Sequence, residues 1–296
     1  MGTFRGMLIN NYYKNLISEN ELFHFFSIGS SIGNAVSILG QALGIYLLKI
    51  FNYNFALIAM INAVSFIVSS LFLFKIRKEL ALTFPVDTKK SLFQSLKESF
   101  TTAKELIRNH YNLSLYCNLG YSLIINTIFN AVTPILTIYL LDQKYFMLDY
   151  GQSLLLIEIS ATVVVIISGL FPDTYLGRMN YNKLAAIEAI LLILLGIISI
   201  FYPSIYVILA LLLVGFYIST KTSAKWSSTL IHNLPDEKIN QVSTFIGTIV
   251  TILMPVGTAV FSILASVNNT ITWISFAILA TIALFLITRK QDVSNQ

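Results

Sequence analysis

The sequence predicts an all-α membrane protein, a polytopic bundle of about eight transmembrane helices. Of its 296 residues, 56% are hydrophobic and only 11% are charged, whereas about 25% of a typical soluble domain is charged. The apolar residues form continuous runs that reach the roughly 20 residues a helix needs to cross the hydrocarbon layer. A transmembrane β-barrel would instead show alternating segments of about ten residues. The chain is therefore expected to fold in a lipid bilayer.

The apolar runs predict the spans in chain order. The first two, 26–49 and 55–75, are separated by the turn sequence Asn52-Tyr53-Asn54. After a long polar segment, six further spans are predicted at 112–141, 149–171, 183–202, 204–224, 241–265 and 269–288. The chain thus divides into a two-span unit (1–75), a linker (76–111) and a six-span unit (112–290).

The positive charges predict an orientation. When loops alternate between the two sides, all of the 19 Lys and Arg residues except Lys49 and Lys144 fall on one side. Because cytoplasmic loops are rich in Lys and Arg, we expect a multi-pass protein of the cell membrane. Its N-terminus, linker and C-terminus would be cytoplasmic. The positive charges are therefore explained by the orientation of the protein in the membrane, and nucleic acid is not expected as a partner.

The linker is predicted to contain an amphipathic helix. Leu92, Leu96, Phe100, Ala103 and Ile107 recur at helical spacing, and charged residues occupy the positions between them. Such a helix is expected to lie at the cytoplasmic surface of the membrane.

Polar residues recur at helical spacing inside three predicted spans. Because amides that face lipid are costly, these residues should face protein or a water-filled cavity. For Ser and Thr, hydrogen bonding between packed helices is the favoured interpretation, whereas the asparagines are predicted to line a substrate cavity. The candidate cavity residues are Asn34 and Gln41 in the first span, Asn118, Ser122, Asn126 and Asn130 in the third, and Thr248 and Thr251 in the seventh.

Three acidic or basic residues are predicted at depth in the membrane. Glu158 lies about nine residues into the fourth span, where an ionised carboxylate is costly, so we predict that it carries a proton. The alternative is a carboxylate that is hydrogen-bonded to a neighbouring helix. Glu188 and Lys221 lie at similar depth from the same side and are predicted to form a structural ion pair, with gating as the alternative.

The sequence argues against an enzyme and against bound cofactors. His24, His110 and His232 are scattered without metal-ligand spacing, and the single cysteine, Cys117, lies in an apolar run. No phosphate-binding loop of the Gly-x-x-x-x-Gly-Lys-Ser/Thr type is present, and no nucleophile stands out beside a base.

A short repeat connects the two units. The segment 32–39, Ile-Gly-Asn-Ala-Val-Ser-Ile-Leu, returns at 246–253 as Ile-Gly-Thr-Ile-Val-Thr-Ile-Leu. Membrane transporters are commonly built from duplicated halves with the substrate path between them. The repeat therefore predicts that the first and seventh spans are equivalent helices.

These features resemble the major facilitator superfamily. Gly33, Gly40 and Gly44 are similar to the glycine-rich antiporter motif of its drug exporters, although the proline expected after the second glycine is absent. Glycines four residues apart also permit close helix packing. Residues 169–178 are similar to the family's Gly-x-x-x-Asp-x-x-Gly-Arg loop, with one residue extra. The segment 242–262 looks most like the eleventh span of macrolide-efflux-like members.

The resemblance implies fold, function and roles for single residues. It implies proton-coupled export of a small, drug-like molecule by alternating access. Gating or structural roles follow for Asp173, Gly177 and Arg178 in the loop, for Pro255 in the seventh span and for the three glycines. The first unit would be the last two spans of an N-terminal half, and the second unit a complete C-terminal half.

The resemblance also predicts that the first four spans of the N-terminal half are missing. The competing interpretation is accordingly a truncated or docking membrane subunit without transport activity of its own. A second chain would then supply the missing helices. A membrane enzyme ranks third, because no catalytic cluster is visible.

Overall fold

The computed structural model is entirely helical in the part of the chain that it describes. The described residues are 19–51, 55–76, 92–141, 150–202, 204–252 and 254–289. Their helices are α1 (Glu19–Ile50), α2 (Phe55–Ile76), α3 (Leu92–Tyr111), α4 (Leu115–Leu141), α5 (Tyr150–Leu170), α6 (Tyr175–Arg178), α7 (Tyr181–Phe201), α8 (Ile205–Asn233), α9 (Asp236–Ile252), α10 (Met254–Val267) and α11 (Asn269–Thr288). The predicted all-α membrane bundle is confirmed.

The six spans predicted after the linker are present. Segments long and apolar enough to cross a membrane are Leu115–Ile138, Gln152–Leu170, Tyr181–Phe201, Ile205–Asn233, Gln241–Val267 and Asn269–Thr288. The first two predicted spans coincide with α1 and α2. At 32 residues, α1 is about 48 Å long, whereas the described part of α2 contains the shorter apolar stretch Ala63–Phe72.

Helix α4 is the centre of the six-span unit. It packs against α9, α10 and α11, while α7 packs between α8 and α11, and α5 packs against α8. Side chains such as Ile128, Ile135 and Phe276 are fully buried between these helices. Helix α1 joins the unit from outside by packing across α5 and α8.

Polar residues at the helix ends explain the boundaries. Asn180 and Asn268 cap α7 and α11, since their side chains accept hydrogen bonds from the backbone N–H of Lys183 and Ile271. Asn112, at φ 53°, reverses the chain between α3 and α4 in a left-handed conformation that asparagine tolerates better than most residues.

The seventh predicted span is confirmed as the apolar helical segment Gln241–Val267, which contains parts of α9 and α10. Helix α9 ends at Ile252 and α10 begins at Met254; Leu253 lies outside the described residues. Pro255 has no N–H to donate to the carbonyl of Thr251, so this one hydrogen bond of a regular helix cannot form.

Helix α3, Leu92–Tyr111, lies in the segment predicted as the linker, and its apolar face packs against protein. Ala103 and Ile107 are completely buried, and the ring of Phe100 lies edge-on to Phe245 of α9 with centroids 6.3 Å apart. The sequence predicts this face at the membrane surface. Among its described members only Leu96 is exposed.

Serines and a glycine, rather than the predicted glycines of α1, bring α1 close to α5. A β-carbon at Gly33 or Gly40 would meet no described atom within 4 Å, whereas one at Gly169 would collide with the Ser31 hydroxyl and the Ser27 carbonyl. The side chain of Gln41 and the surroundings of Gly44 lie outside the described residues. Ser31 also donates a hydrogen bond to the carbonyl of Ile166, 2.9 Å away.

Gly169→Ala is expected to lower the stability of the folded protein. The added methyl group collides with the hydroxyl of Ser31 and the backbone carbonyl of Ser27, and such overpacking costs on the order of 1–3 kcal/mol. The measurement is the midpoint of thermal unfolding in detergent. Gly33→Ala is the matched control, because its methyl group enters open space; equal midpoints for the two variants would contradict the α1–α5 contact.

Candidate functional site

A polar cavity of about 200 Å³ lies among α4, α7, α8 and α9. We call it the inner cavity. Its polar wall is formed by Tyr121, Ser122, Asn126, Glu188, Ser219, Thr222, Ser223 and Ser243, and its apolar wall includes Ile125, Trp226, Ile246 and Val250. Since α7 begins at Tyr181, Glu188 is about 10 Å along the helix from its start.

Glu188 is the one acidic residue among the described residues of the inner cavity wall, and it is 1% exposed. The hydroxyl of Tyr121 donates a hydrogen bond to its Oε2, 2.8 Å away. Its second oxygen, Oε1, is buried and accepts no hydrogen bond of good geometry among the described residues, although the hydroxyl groups of Ser219 and Thr222 lie beside the carboxylate. The residues that the structure describes in this wall include no Lys, Arg or His. The arrangement therefore presents an acceptor oxygen that a proton or a cationic group can satisfy.

The predicted ion pair between Glu188 and Lys221 does not form. Lys221 is also 1% exposed, but its ammonium group donates to the carbonyls of Ser168 and Phe171, 3.0 and 2.7 Å away. These carbonyls belong to the end of α5, where helical N–H donors run out. A cation is favourable at this end of a helix, so Lys221 caps α5.

The loop that resembles the family motif is folded around its second glycine. The hydroxyl of Thr174 accepts a hydrogen bond from the N–H of Gly177 at 3.3 Å, and a β-carbon at Gly177 would collide with the carbonyl of Pro172. Asp173 pairs with Nε2 of His24 on α1 at 3.2 Å. Arg178 is exposed. The loop is thus tied to α1 through Asp173.

The asparagine stripe of α4 divides into three environments. Asn118 is buried and donates to the hydroxyl of Tyr181, 3.3 Å away. Asn126, with Ser122, lines the inner cavity. Asn130 is exposed, and its amide group donates to the carbonyl of Asn126 at 2.8 Å. Only the middle of the predicted stripe therefore reaches the cavity.

The other predicted site residues lie outside the cavity wall. Thr248 and Thr251 are exposed and follow Gly247, which does line the cavity. Asn34 is half-buried on α1 and donates to the carbonyl of Ser30 at 2.7 Å. Glu158 is exposed on α5, so the structure does not bring it to Glu188.

Sequence reasoning missed the aromatic residues of the site. Tyr121 lies within the asparagine stripe of α4. A tyrosine hydroxyl inside a spanning helix needs a hydrogen-bond acceptor, and this requirement could have predicted a polar partner such as Glu188. In the described ranges no group of three His, Cys, Asp or Glu residues could hold a metal ion.

The family model that matches this chain is that of the Major Facilitator Superfamily, over residues 8–258. That match spans most of the sequence. The chain belongs to the major facilitator superfamily. Members of this superfamily are transporters rather than enzymes, and this major facilitator protein is a multi-pass membrane protein. No curated protein sequence matches it.

Lys221→Met is expected to destabilise this major facilitator protein. The variant keeps an unbranched side chain but leaves two carbonyls at the end of α5 without their donor, and each buried unsatisfied group costs about 1–3 kcal/mol. Chemical unfolding in detergent measures the loss. The exposed Lys183 provides the control: if Lys183→Met lowers the free energy of unfolding as much as Lys221→Met, the capping role is wrong.

Proposed function

We propose that this protein exports a small, drug-like molecule across the cell membrane by alternating access, with protons as the coupling ion. The observation that carries the proposal is the buried carboxylate of Glu188 in the wall of a polar cavity inside a major facilitator bundle. Substrate and proton would meet at this cavity, and the linker, N-terminus and C-terminus would face the cytoplasm.

The cavity wall suits an amphipathic ligand. Ligand sites are mostly apolar with a few placed polar groups that fix orientation. Here Trp226, Ile246 and Val250 supply apolar surface, and the amide of Asn126 and the hydroxyl of Ser219 supply hydrogen-bonding groups. Both kinds of contact are available to one small molecule at the same time.

Proton coupling is assigned to Glu188. An ionised carboxylate without a cationic partner is costly inside a bilayer, so occupation of the cavity and protonation of Glu188 depend on each other. Glu158, the carrier that the sequence predicts, is exposed on α5 and does not line the cavity. Both carboxylates are therefore compared in one experiment.

A second function, that of a docking subunit, is favoured by one observation. Asn130, Thr248 and Thr251 are exposed on α4 and α9, where lipid would otherwise meet an amide and two hydroxyl groups. Further transmembrane helices, on this polypeptide or on a second chain, would cover these residues. In the subunit interpretation the purified chain moves no substrate by itself.

Glu188→Gln is expected to abolish transport that is driven by a pH gradient, because glutamine cannot exchange a proton. The purified full chain is reconstituted into vesicles, and movement of ethidium, a small aromatic cation, is followed after the pH gradient is imposed. Glu158→Gln is the matched control and should retain the rate of the unmodified protein.

Two other outcomes decide against this assignment. If Glu158→Gln loses transport and Glu188→Gln keeps full activity, Glu158 is the proton-coupling residue and the assignment to Glu188 is wrong. Failure of the unmodified chain to move ethidium under any gradient would contradict drug export by the chain alone and favour the docking subunit.

A further inference from the structure

A second cavity, of about 470 Å³, lies beside the inner one. We call it the outer cavity. It is found where α3 ends and α7 begins, and its wall includes His110, Asn180, Asn182, Lys225 and Asn233. Lys225 lies 5.1 Å from the ring centroid of Phe23 on α1. The outer cavity is therefore at the linker end of the bundle.

Three aromatic rings stand between the two cavities. Tyr181 lines both, whereas Trp226 lines only the inner cavity and Tyr111 only the outer one. Tyr111 stacks on Trp226 with centroids 5.6 Å apart and planes 26° apart, and lies 4.6 Å from the centroid of Tyr181. Tyr181 and Trp226 are themselves 5.6 Å apart. The three rings therefore pack together at the boundary between the two cavities.

Two of the rings are fixed to spanning helices. Tyr181 begins α7, and its hydroxyl accepts a hydrogen bond from Asn118 of α4. Trp226 is within α8. Tyr111 differs, since it is the last residue of the linker helix α3 and is held to α7 by a hydrogen bond from the amide of Asn182 to its backbone carbonyl, at 2.8 Å. Tyr111 is thus the ring of the three that does not belong to a spanning helix.

Helix α3 is also attached to the wall of the inner cavity. The side chain of Gln241 on α9 donates to the carbonyl of Ser95, 2.6 Å away, and Lys238 donates to the hydroxyl of Thr102 at 3.3 Å. Further along α9, Ser243 and Ile246 line the inner cavity. A displacement of α9 therefore acts on the helix that carries Tyr111.

We propose that Tyr111 closes the passage between the inner and outer cavities and that the linker helix α3 is the lid that withdraws it. Tyr181 and Trp226 form the frame against which the ring of Tyr111 seals. Burial raises the pKa of Tyr111 above its ordinary value, so the hydroxyl of Tyr111 is uncharged at neutral pH. The proposal rests on the inner cavity being used for transport, but closure can be measured without transport.

The test compares the access of a thiol reagent to the two cavities. In a Cys117→Ala background, Ser243→Cys reports on the inner cavity and Ser228→Cys on the outer one. The protein is reconstituted into vesicles, and a charged, membrane-impermeant methanethiosulfonate is added to the bath. Rapid reaction at Ser228→Cys identifies vesicles whose linker side faces the reagent. A charged reagent does not reach the inner cavity through lipid.

Tyr111→Ala is expected to accelerate labelling of Ser243→Cys about tenfold, because two ring contacts of the seal are lost. Labelling of Ser228→Cys should not change. Tyr111→Phe keeps the ring and should leave both rates as they are. Tyr175→Ala, at a tyrosine that is 79% exposed, controls for loss of an unrelated ring.

The proposal is overturned if Ser243→Cys reacts as fast as Ser228→Cys before Tyr111 is changed, or if Tyr111→Ala leaves its rate unaltered. If the alanine variant does not fold, Tyr111→Leu keeps apolar volume at the site, and the same acceleration is required of it. Labelling is independent of ethidium movement. A failed transport assay with an opened inner cavity would therefore contradict the export proposal alone.

Discussion

Every polar group within the hydrocarbon layer has to find its partner inside the protein, and this bundle is organised by that requirement. Backbone groups are satisfied by helices. Side chains follow the same rule: Ser168 donates to the carbonyl of Tyr217 on α8, and Lys221 binds the last carbonyls of α5. These bonds join α5 to α8, and α1 is added by the hydrogen bond from Ser31 to α5.

Glu188 is one of several buried side chains that have a polar atom without a hydrogen-bond partner in the described part of the chain, and it is the carboxylate among them. Tyr121 satisfies one carboxylate oxygen, and the other is buried beside empty volume. A buried carboxylate is the most costly of these groups to leave without a partner, because its charged form loses its hydration. Its chemistry is that of a binding group, which connects the packing of α4 and α7 to the proposed transport function. The aromatic cluster at Tyr181 would then control access to this group from the linker end.

The helices could be predicted from sequence, whereas the partners of their polar groups could not. Apolar run length predicted the six spans after the linker, whereas the caps at Asn180 and Asn268 were identified only in the structure. The prediction of a Glu188–Lys221 ion pair was wrong. The sequence indicated how deep each residue lies in the membrane, but it did not indicate how each helix is rotated about its axis. Lys221 faces α5, and Glu188 faces α4. Tyr111, Tyr181 and Trp226 were missed because they come from distant segments and look like core residues in the sequence.

The central claim is that Glu188 is the proton-binding group of the cavity and that Tyr121 holds it. Infrared difference spectroscopy of the reconstituted protein between neutral and acidic pH tests this directly through the carbonyl band of the protonated carboxyl group. The account predicts a band that is absent in Glu188→Gln and shifted in Tyr121→Phe, since the donor hydroxyl is then gone. A band that persists in Glu188→Gln and disappears in Glu158→Gln would contradict it.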